Sequence, residues 1–321
     1  MLKFGLISKW HVHASGYANQ LKNDPRTTIA AVWDEDPERG AAWAAELGAP
    51  FIADYAAFLA SDIDAVACDS PTMMHKQLLV AAAKAGKHIF TEKLLAASSE
   101  DAEAIAEAVR EAGVTFTISL PVKCSPAVLY IKSLIDEGKL GTVTGARFRR
   151  SHGGVSNGWL PKYWFDVSAS GGGALMDLGA HPVYVLAELL GAPKRVTALM
   201  SELYGTGSDE NCIALAEFEG GVLATMETAF VTEGVPDLLE VYGTGGAVFM
   251  RGGEVWQNIG DGPEEVDDFP PSLDNPLAQF ISACLDGTAE PAGLGLADGL
   301  VMTRIVEAAY KAEADGCTVV L

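Results

Sequence analysis

Three side chains in this sequence have the chemistry of acid–base catalysis: Lys93, Asp177 and His181. A lysine at the carboxyl end of a buried strand can bind a hydroxyl, or a carbonyl oxygen that develops negative charge. Asp177 and His181 are four positions apart, which on a helix places both on one face. A carboxylate beside an imidazole can transfer protons near neutral pH. The pattern predicts a proton-transfer site. The same residues would also occur if Lys93 formed a surface ion pair with Glu92 and the His181 imidazole were simply packed against the turn before it.

A second group of candidate residues follows the first apolar run of the chain, in Ser8-Lys9-Trp10-His11-Val12-His13. Dinucleotide-binding folds normally carry G-x-G-x-x-G here, because the glycines allow a tight turn and a close approach of the backbone to the pyrophosphate. Ser8, Trp10 and His13 occupy the three glycine positions. Taken alone, this loop argues against an ordinary dinucleotide site.

Other strand ends favour a nucleotide site. Asp34 lies about 20 residues beyond the loop, where a carboxylate can accept hydrogen bonds from a ribose diol and repel a 2′-phosphate. This position favours NAD over NADP, although an acidic residue after a strand is common for other reasons.

Further along, Pro71 turns the chain, and Thr72 is predicted to cap the next helix with a hydroxyl that can also reach phosphate or ribose.

The elements that position these residues fall into two patterns. Up to about residue 120, short apolar strands alternate with amphipathic helices, which predicts a parallel sheet covered by helices, with ligands at the carboxyl ends of its strands. Beyond it, closely spaced strands turning on glycine pairs predict a larger, mostly antiparallel sheet. We therefore expect an α/β chain with two domains, a Rossmann-type doubly wound domain over residues 1–120 and an open-sheet domain over 121–321. The C-terminal helix is expected to pack back on the first domain.

Composition narrows the class of partner. The chain has 321 residues, a formal net charge of −21 and five scattered cysteines. Such an acidic surface repels nucleic acids and anionic lipids, and the scattered cysteines suggest a reducing compartment. The sequence shows neither a signal peptide nor an apolar run of the ~18 residues that span a bilayer. These features predict a cytoplasmic protein with a small-molecule substrate.

Together, these motifs resemble the Gfo/Idh/MocA family, the glucose-fructose oxidoreductase and inositol dehydrogenase group. The resemblance extends over the whole chain and depends on the order of three stretches: Ser70-Pro71-Thr72-Met73-Met74-His75, Gly86-Lys87-His88-Ile89-Phe90-Thr91-Glu92-Lys93, and Gly171-Gly172-Gly173 leading to Asp177-Leu178-Gly179-Ala180-His181. The chain departs from the family in the glycine loop, in Leu94 where Glu-Lys-Pro is usual, and in Phe165 where a basic residue often follows the tryptophan.

The resemblance implies hydride transfer between a nicotinamide cofactor, NAD in preference to NADP, and a sugar, polyol or related hydroxy compound. It implies that Lys93 positions the substrate and assists proton transfer beside Asp177, while His181 is the acid or base. The substrate site would comprise Lys93, Lys123, Trp164, Asp177 and His181, and no metal ligand. The cofactor site would comprise Ser8, Lys9, Trp10, His11, His13, Asp34, Ser70, Pro71, Thr72, His75, Glu92 and Lys93. A homodimer or homotetramer through the C-terminal sheet is also implied.

Two other function classes compete with this prediction. The missing glycines favour a catalytically weak or cofactor-less sugar-binding relative, which would not bind NADH or NADPH. The His11-Val12-His13 motif at a strand end is also similar to the metal-binding HxH of amidohydrolase barrels, in which His152, His181 and Asp177 would complete a hydrolytic metal site. The strand-rich second half, which lacks eight βα units, argues against that barrel.

Overall fold

The computed structural model describes residues 1–260, 262–288 and 290–321. In chain order, its strands β1 to β14 are Leu2–Ile7, Thr27–Trp33, Ala65–Cys68, His88–Thr91, Phe116–Ile118, Val143–Ser151, Arg195–Ser201, Asn211–Glu217, Leu223–Ala229, Leu238–Gly243, Gly246–Arg251, Glu254–Asn258, Glu264–Val266 and Val319–Val320. Its α-helices α1 to α10 are Ala14–Asn23, Pro37–Leu47, Tyr55–Leu59, His75–Lys84, Ser99–Ala112, Pro126–Asp136, Val167–Ser170, Ala180–Leu190, Pro276–Asp286 and Leu296–Asp315.

The described chain divides into two compact units, Met1–Ser119 with Asp274–Leu300, and Leu120–Leu273 with Val301–Leu321. In the first unit, the order β2-β1-β3-β4-β5 forms a five-stranded parallel sheet. The second unit contains a nine-stranded sheet in which only the pairing of β6 with β9 is parallel among the described strands. The expected fold class, a Rossmann-type sheet followed by a large and mostly antiparallel sheet, is confirmed.

Short polar and glycine signals set the helix ends of the first unit. Asp36 caps α2 by accepting the backbone N–H groups of Glu38 and Arg39, and Pro37 occupies the first turn. Gly48 ends the same helix in the left-handed conformation, with φ of 70°. Every residue of β3 is buried, as expected for a central parallel strand covered on both faces. These elements direct the carboxyl ends of β1 to β5 to one edge of the sheet.

Residues 274–300 belong to the first unit. The sequence pattern predicts instead that they belong to the second domain, over residues 121–321. Helix α9 explains the difference, because Phe280 is fully buried in the core of the parallel sheet. Its ring lies 6.0 Å from that of Phe4 and 5.9 Å from that of Phe90. Burying a phenylalanine side chain stabilises a fold by about 1.5–3 kcal/mol. A segment distant in sequence thus completes the N-terminal core.

In the second unit, helix α8 packs on β6 and β9. Its sequence, Ala180–Leu190, is apolar nearly all round, and most of its side chains are buried. Buried and exposed residues alternate along the strands, as in β8. One face of the sheet therefore covers α8, and the opposite face of the sheet is exposed. Among the described residues of the chain, no helix is both long enough and apolar enough to cross a membrane.

Candidate active site

The loop after β1 reproduces the turn of a glycine loop without its glycines. Ser8 has a φ of 68°. Among the residues that the structure describes, it is the single non-glycine residue with a positive φ. Its side-chain Oγ accepts the N–H of Trp10 at 3.1 Å, and its own N–H donates to the carbonyl of Trp33 at 2.7 Å. The serine side chain therefore stabilises the left-handed turn locally. The same bond engages the amide at the second glycine position.

The neighbouring amides of this loop are also engaged within the protein. The N–H of Lys9 donates to Asp34 Oδ2 at 2.8 Å, and the N–H of His11 donates to the carbonyl of Asp69 at 3.0 Å. The ammonium of Lys9 lies 2.8 Å from Glu46 and over the ring of Trp43, so it is partly neutralised. In an ordinary glycine loop the backbone amides bind pyrophosphate. Here they serve the loop itself, so positive potential for an anion must come from side chains.

Asp34, at the end of β2, is buried and holds a basic partner that the sequence analysis did not identify. Arg39 donates from Nε to Oδ2 at 3.0 Å and from Nη2 to Oδ1 at 2.6 Å, forming a two-bond pair. The guanidinium also contacts Glu35 and Ser8. An acid at this position favours a ribose diol, and a nearby arginine can accommodate a 2′-phosphate. The pair therefore weakens the argument from Asp34 alone against NADP.

The loop after β3 is held from inside by a histidine. His75 is fully buried, and its two ring nitrogens each lie 3.2 Å from a backbone carbonyl, of Leu95 and of Ser70. Burial lowers the pKa of this imidazole. Ser70 and Thr72 are also buried, and Thr72 begins a short 3₁₀ turn in which its side chain caps nothing, so the prediction of a side-chain cap is wrong.

Glu92 and Lys93, at the end of β4, are almost completely buried. The carboxylate of Glu92 accepts from the Tyr17 hydroxyl, contacts His13 Nδ1 at 2.9 Å and accepts the N–H of Lys93 at 3.0 Å. Burial alone would raise the pKa of Glu92, but the charges of His11, His13 and Lys93 outweigh it and hold that pKa far below its usual range. Glu92 is therefore an anion around which three basic side chains gather.

The predicted carboxylate of the second unit does not lie on a helix. α8 begins at Ala180, so Asp177 belongs to the preceding turn, and the helix-spacing argument that paired it with His181 is wrong. Asp177 Oδ2 accepts a hydrogen bond from the indole of Trp164 at 3.3 Å. Trp164, a predicted substrate residue, is buried beside it. The tryptophan thus fixes the carboxylate that sequence reasoning assigned to catalysis.

His181 lies in the first turn of α8 and is oriented by a tyrosine of the same helix. Its Nδ1 lies 2.7 Å from the hydroxyl of Tyr184, which also accepts the N–H of Val122 at 3.2 Å. Lys123, the next residue, places its ammonium 2.7 Å from Glu188. Sequence reasoning missed Tyr184 and Glu188, although spacings of three and seven positions from His181 place all three on one helix face.

Asp209 anchors the glycine-rich turn that precedes Asp177. One of its carboxylate oxygens accepts the N–H of Gly173 at 2.8 Å and the hydroxyl of Tyr310 at 2.7 Å. The other accepts the N–H of Leu175 at 2.8 Å. A side chain at position 173 would clash with the Asp209 backbone carbonyl at 2.0 Å, which explains the glycine there. Nothing local in the sequence indicates this long-range contact.

Comparison with known proteins identifies the two halves of the chain. A family model described as an oxidoreductase family with an NAD-binding Rossmann fold matches residues 9–120, and one described as the GFO/IDH/MocA C-terminal domain matches residues 128–249. The chain belongs to the Gfo/Idh/MocA family. It is an oxidoreductase with an NAD-binding Rossmann fold. An open five-stranded sheet in place of an eight-stranded barrel also contradicts the amidohydrolase alternative.

Relatives of the family cover most of this chain. It is 28% identical over 304 residues to 1,5-anhydro-D-fructose reductase of Ensifer adhaerens, across 89% of this chain and 90% of the reductase. It is 28% identical over 258 residues to scyllo-inositol 2-dehydrogenase (NAD(+)) of Bacillus subtilis (strain 168), across 77% and 72% respectively. The solved structure of GenD2 from gentamicin A biosynthesis in complex with NAD has a TM-score of 0.85 and 26% identity, covering 100% of this chain and 96% of GenD2.

Proposed function

We propose that this Gfo/Idh/MocA oxidoreductase transfers a hydride between NAD and a CH–OH carbon of a sugar or polyol. Relatives named as an anhydrofructose reductase and an inositol dehydrogenase support this substrate class. The observation that carries the proposal is the buried pair Glu92 and Lys93 at the carboxyl end of β4, the edge at which parallel sheets bind their ligands. A buried ammonium has a desolvation cost that a substrate oxygen can offset.

The residues of the first unit fit a dinucleotide in part. Ser8 forms the left-handed turn, and Arg39, which pairs with the buried carboxylate of Asp34, offers a guanidinium for the ribose end. The pyrophosphate end differs from the usual site, because the loop amides are engaged within the protein. We assign the phosphate contacts to the side chains of the loop, chiefly His11 and His13. When bound, the nicotinamide supplies or accepts the hydride.

The proton of the reacting hydroxyl is handled by this chain's own residues. We assign Lys93 to hold the substrate oxygen as its charge changes, and His181 to take or return the proton. Tyr184 positions the imidazole through Nδ1. Asp177, held by Trp164, would stabilise the positive charge that develops when His181 is protonated. These are assignments of role, supported by the family and by the polar partners of each residue.

A cofactor titration followed by kinetics tests the proposal. We expect NADH to quench the fluorescence of Trp10, which lies within the loop, and a panel of sugars and polyols to give turnover by nicotinamide absorbance. Lys93→Ala should lower kcat at least about 100-fold while changing the Kd of NADH little. Lys76→Ala is the matched control, because Lys76 pairs with Asp101 at the surface of the same unit.

Two results would contradict this function. Absence of NADH and NADPH binding would favour the cofactor-less relative, and full activity of Lys93→Ala would remove Lys93 from the mechanism. Binding without turnover on any polyol would instead contradict the substrate class.

We also propose that copies of the chain associate through the exposed face of the nine-stranded sheet. Large apolar side chains point from neighbouring strands to that face and are exposed there: Leu199, Ile213, Leu215, Leu223, Tyr242 and Trp256. Exposed apolar side chains gathered on one face of a sheet favour association, and here they share that face with the ion pairs of Arg147 with Glu227 and Glu240. Light scattering should give a dimer or tetramer, and Ile213→Lys should shift the mass towards the monomer. A monomeric wild-type protein would contradict the proposal.

A cytoplasmic location is proposed for the same protein. All five cysteines are free, and three of them are buried, as is usual in a reducing compartment. The net charge of −21 also argues against nucleic acids as partners. Labelling with a thiol reagent in intact cells tests the compartment, because exposed Cys317 should be found reduced there.

A further inference from the structure

Three side chains with metal-ligand chemistry converge at one edge of the parallel sheet. His11 and His13 follow β1, and Glu92 follows β4. One potential ligand atom from each lies within 4.8 Å of those of the other two. Among the described residues, no other group of three or more His, Cys, Asp or Glu side chains brings its potential ligand atoms this close together. Because all three residues belong to the first unit, the convergence is a property of that unit alone.

The local geometry suits a transition metal. The rings of His11 and His13 are 4.7 Å apart, and His13 Nδ1 lies 2.9 Å from Glu92 Oε1. Two imidazoles and one carboxylate form the ligand set of several zinc sites that keep a position open for another ligand. Imidazole selects Zn²⁺ and its neighbours over Mg²⁺ and Ca²⁺, which prefer oxygen. Zinc bonds of ~2.0–2.2 Å can be reached from ligand atoms that already lie within 4.8 Å of one another.

The surroundings also point to a cation. Glu92 is buried and its carboxylate directly contacts His13 Nδ1, so an anionic ligand is already held beside an imidazole. Asp69, at the end of β3, is 1% exposed, and its Oδ1 is a buried atom without a hydrogen-bond partner in the structure. The amides of Trp10 and His11, which would bind an anion in a glycine loop, are engaged elsewhere. A cation here would restore the positive potential that the loop backbone does not provide.

We propose that His11, His13 and Glu92 bind one divalent transition-metal ion of the Zn²⁺ class, with an open position for an anionic oxygen. On binding, the ion takes the place of the hydrogen bond between His13 Nδ1 and Glu92 Oε1, and the imidazole keeps its proton on the other ring nitrogen. The 3.3 Å contact of His11 Nδ1 with the N–H of His13 is long and gives way at little cost. The open position would take a phosphate oxygen of the dinucleotide, and this last step alone rests on the proposed function.

Metal binding is tested first without any nucleotide. The full chain, free of affinity tag and stripped with chelator, is titrated with Zn²⁺ by calorimetry and with Co²⁺ by visible absorption. We expect one equivalent of metal to bind. His13→Ala removes an exposed ligand and should weaken binding at least about tenfold, as should Glu92→Gln. Circular dichroism checks that each variant remains folded.

The matched control is His88→Asn, in the same unit. His88 Nδ1 accepts the N–H of Thr115 at 3.0 Å, and an asparagine Oδ1 can take that bond, so this variant should bind metal as the wild type does. Absence of stoichiometric metal binding, or equal binding by wild type and His13→Ala, would overturn the proposal. NADH is then titrated with and without Zn²⁺. Metal binding without any NADH binding would leave the metal site standing and contradict the proposed function instead.

Discussion

Replacing Asp209 by asparagine should expose one particular amide of the glycine-rich turn to solvent exchange. The carboxylate accepts the N–H of Gly173 and the hydroxyl of Tyr310 on one oxygen, and the N–H of Leu175 on the other. Asparagine has a single oxygen. If that oxygen keeps the two donors on its side, the new NH₂ group faces the N–H of Leu175, so two donors meet and the Leu175 amide loses its acceptor.

The size of the effect follows from that lost acceptor. A buried donor left without a partner costs about 1–3 kcal/mol. Since ~1.4 kcal/mol is a factor of ten in an equilibrium constant, the local opening equilibrium of the Leu175 amide should rise about 5- to 150-fold. Amide exchange at Leu175 should accelerate by that factor, provided the turn opens locally rather than with the whole unit. Exchange at Gly173 should change much less, because its acceptor remains.

Hydrogen exchange resolved to single amides by NMR measures both positions. Tyr310→Phe is the matched control, because it removes one hydroxyl from Asp209 and from the N–H of Gly173 but leaves both amides bound to the carboxylate. Unchanged exchange at Leu175 would refute the assigned anchor. Equal acceleration at both amides and throughout the unit would show that the substitution acts on global stability instead. Because the turn carries Asp177, we also expect Asp209→Asn to lower kcat while leaving NADH binding intact.

Three further predictions concern single side chains. Burial and a neighbouring carboxylate raise the pKa of Asp69 well above its usual value, so this group favours folding most below the ordinary aspartate pKa and progressively less as pH rises. In urea melts, Asp69→Asn should therefore gain stability over wild type as the pH rises above about 4; a constant difference would contradict the shift. Arg39→Ala leaves the carboxylate of Asp34 unneutralised, so the Kd of NADPH should rise about tenfold relative to that of NADH, and an unchanged ratio would exclude Arg39 from cofactor choice. Tyr184→Phe should lower kcat with little change in KM and shift the pH profile of kcat, because His181 loses its Nδ1 partner; an unshifted profile would show that the hydroxyl only packs.

The sequence allowed the fold class to be predicted because its signals are local. Pro37 and Gly48 delimit α2, and the uniformly apolar β3 indicates a parallel strand covered on both faces. The allocation of α9 to the first unit had no such signal, because it depends on Phe280 packing between rings more than 180 residues away, at Phe4 and Phe90. Periodicity shows that a helix has an apolar face and not which core receives it.

The candidate site was predictable in its residue types and less so in its partners. Glu92 and Lys93 lie at a strand end, as the apolar run before them indicated. Asp177 was misplaced by the helix argument because α8 begins only at Ala180, so the carboxylate lies in the turn before the helix. Arg39 was missed although it stands five positions after Asp34, since an exposed arginine on a helix is usually solvated.

The loop after β1 shows what changes when an anion site is built from side chains. In a glycine loop, the donors are backbone amides, and they survive any substitution that preserves the turn. Here Ser8 preserves the turn, but its Oγ and the carbonyl of Asp69 engage the amides of Trp10 and His11. Positive potential must then come from side chains, among them imidazoles, whose charge depends on pH, or from an ion that the imidazoles bind. Cofactor affinity in this protein should therefore respond to pH and to chelators, whereas a glycine-loop relative should respond to neither. This difference follows from three side chains in place of three glycines.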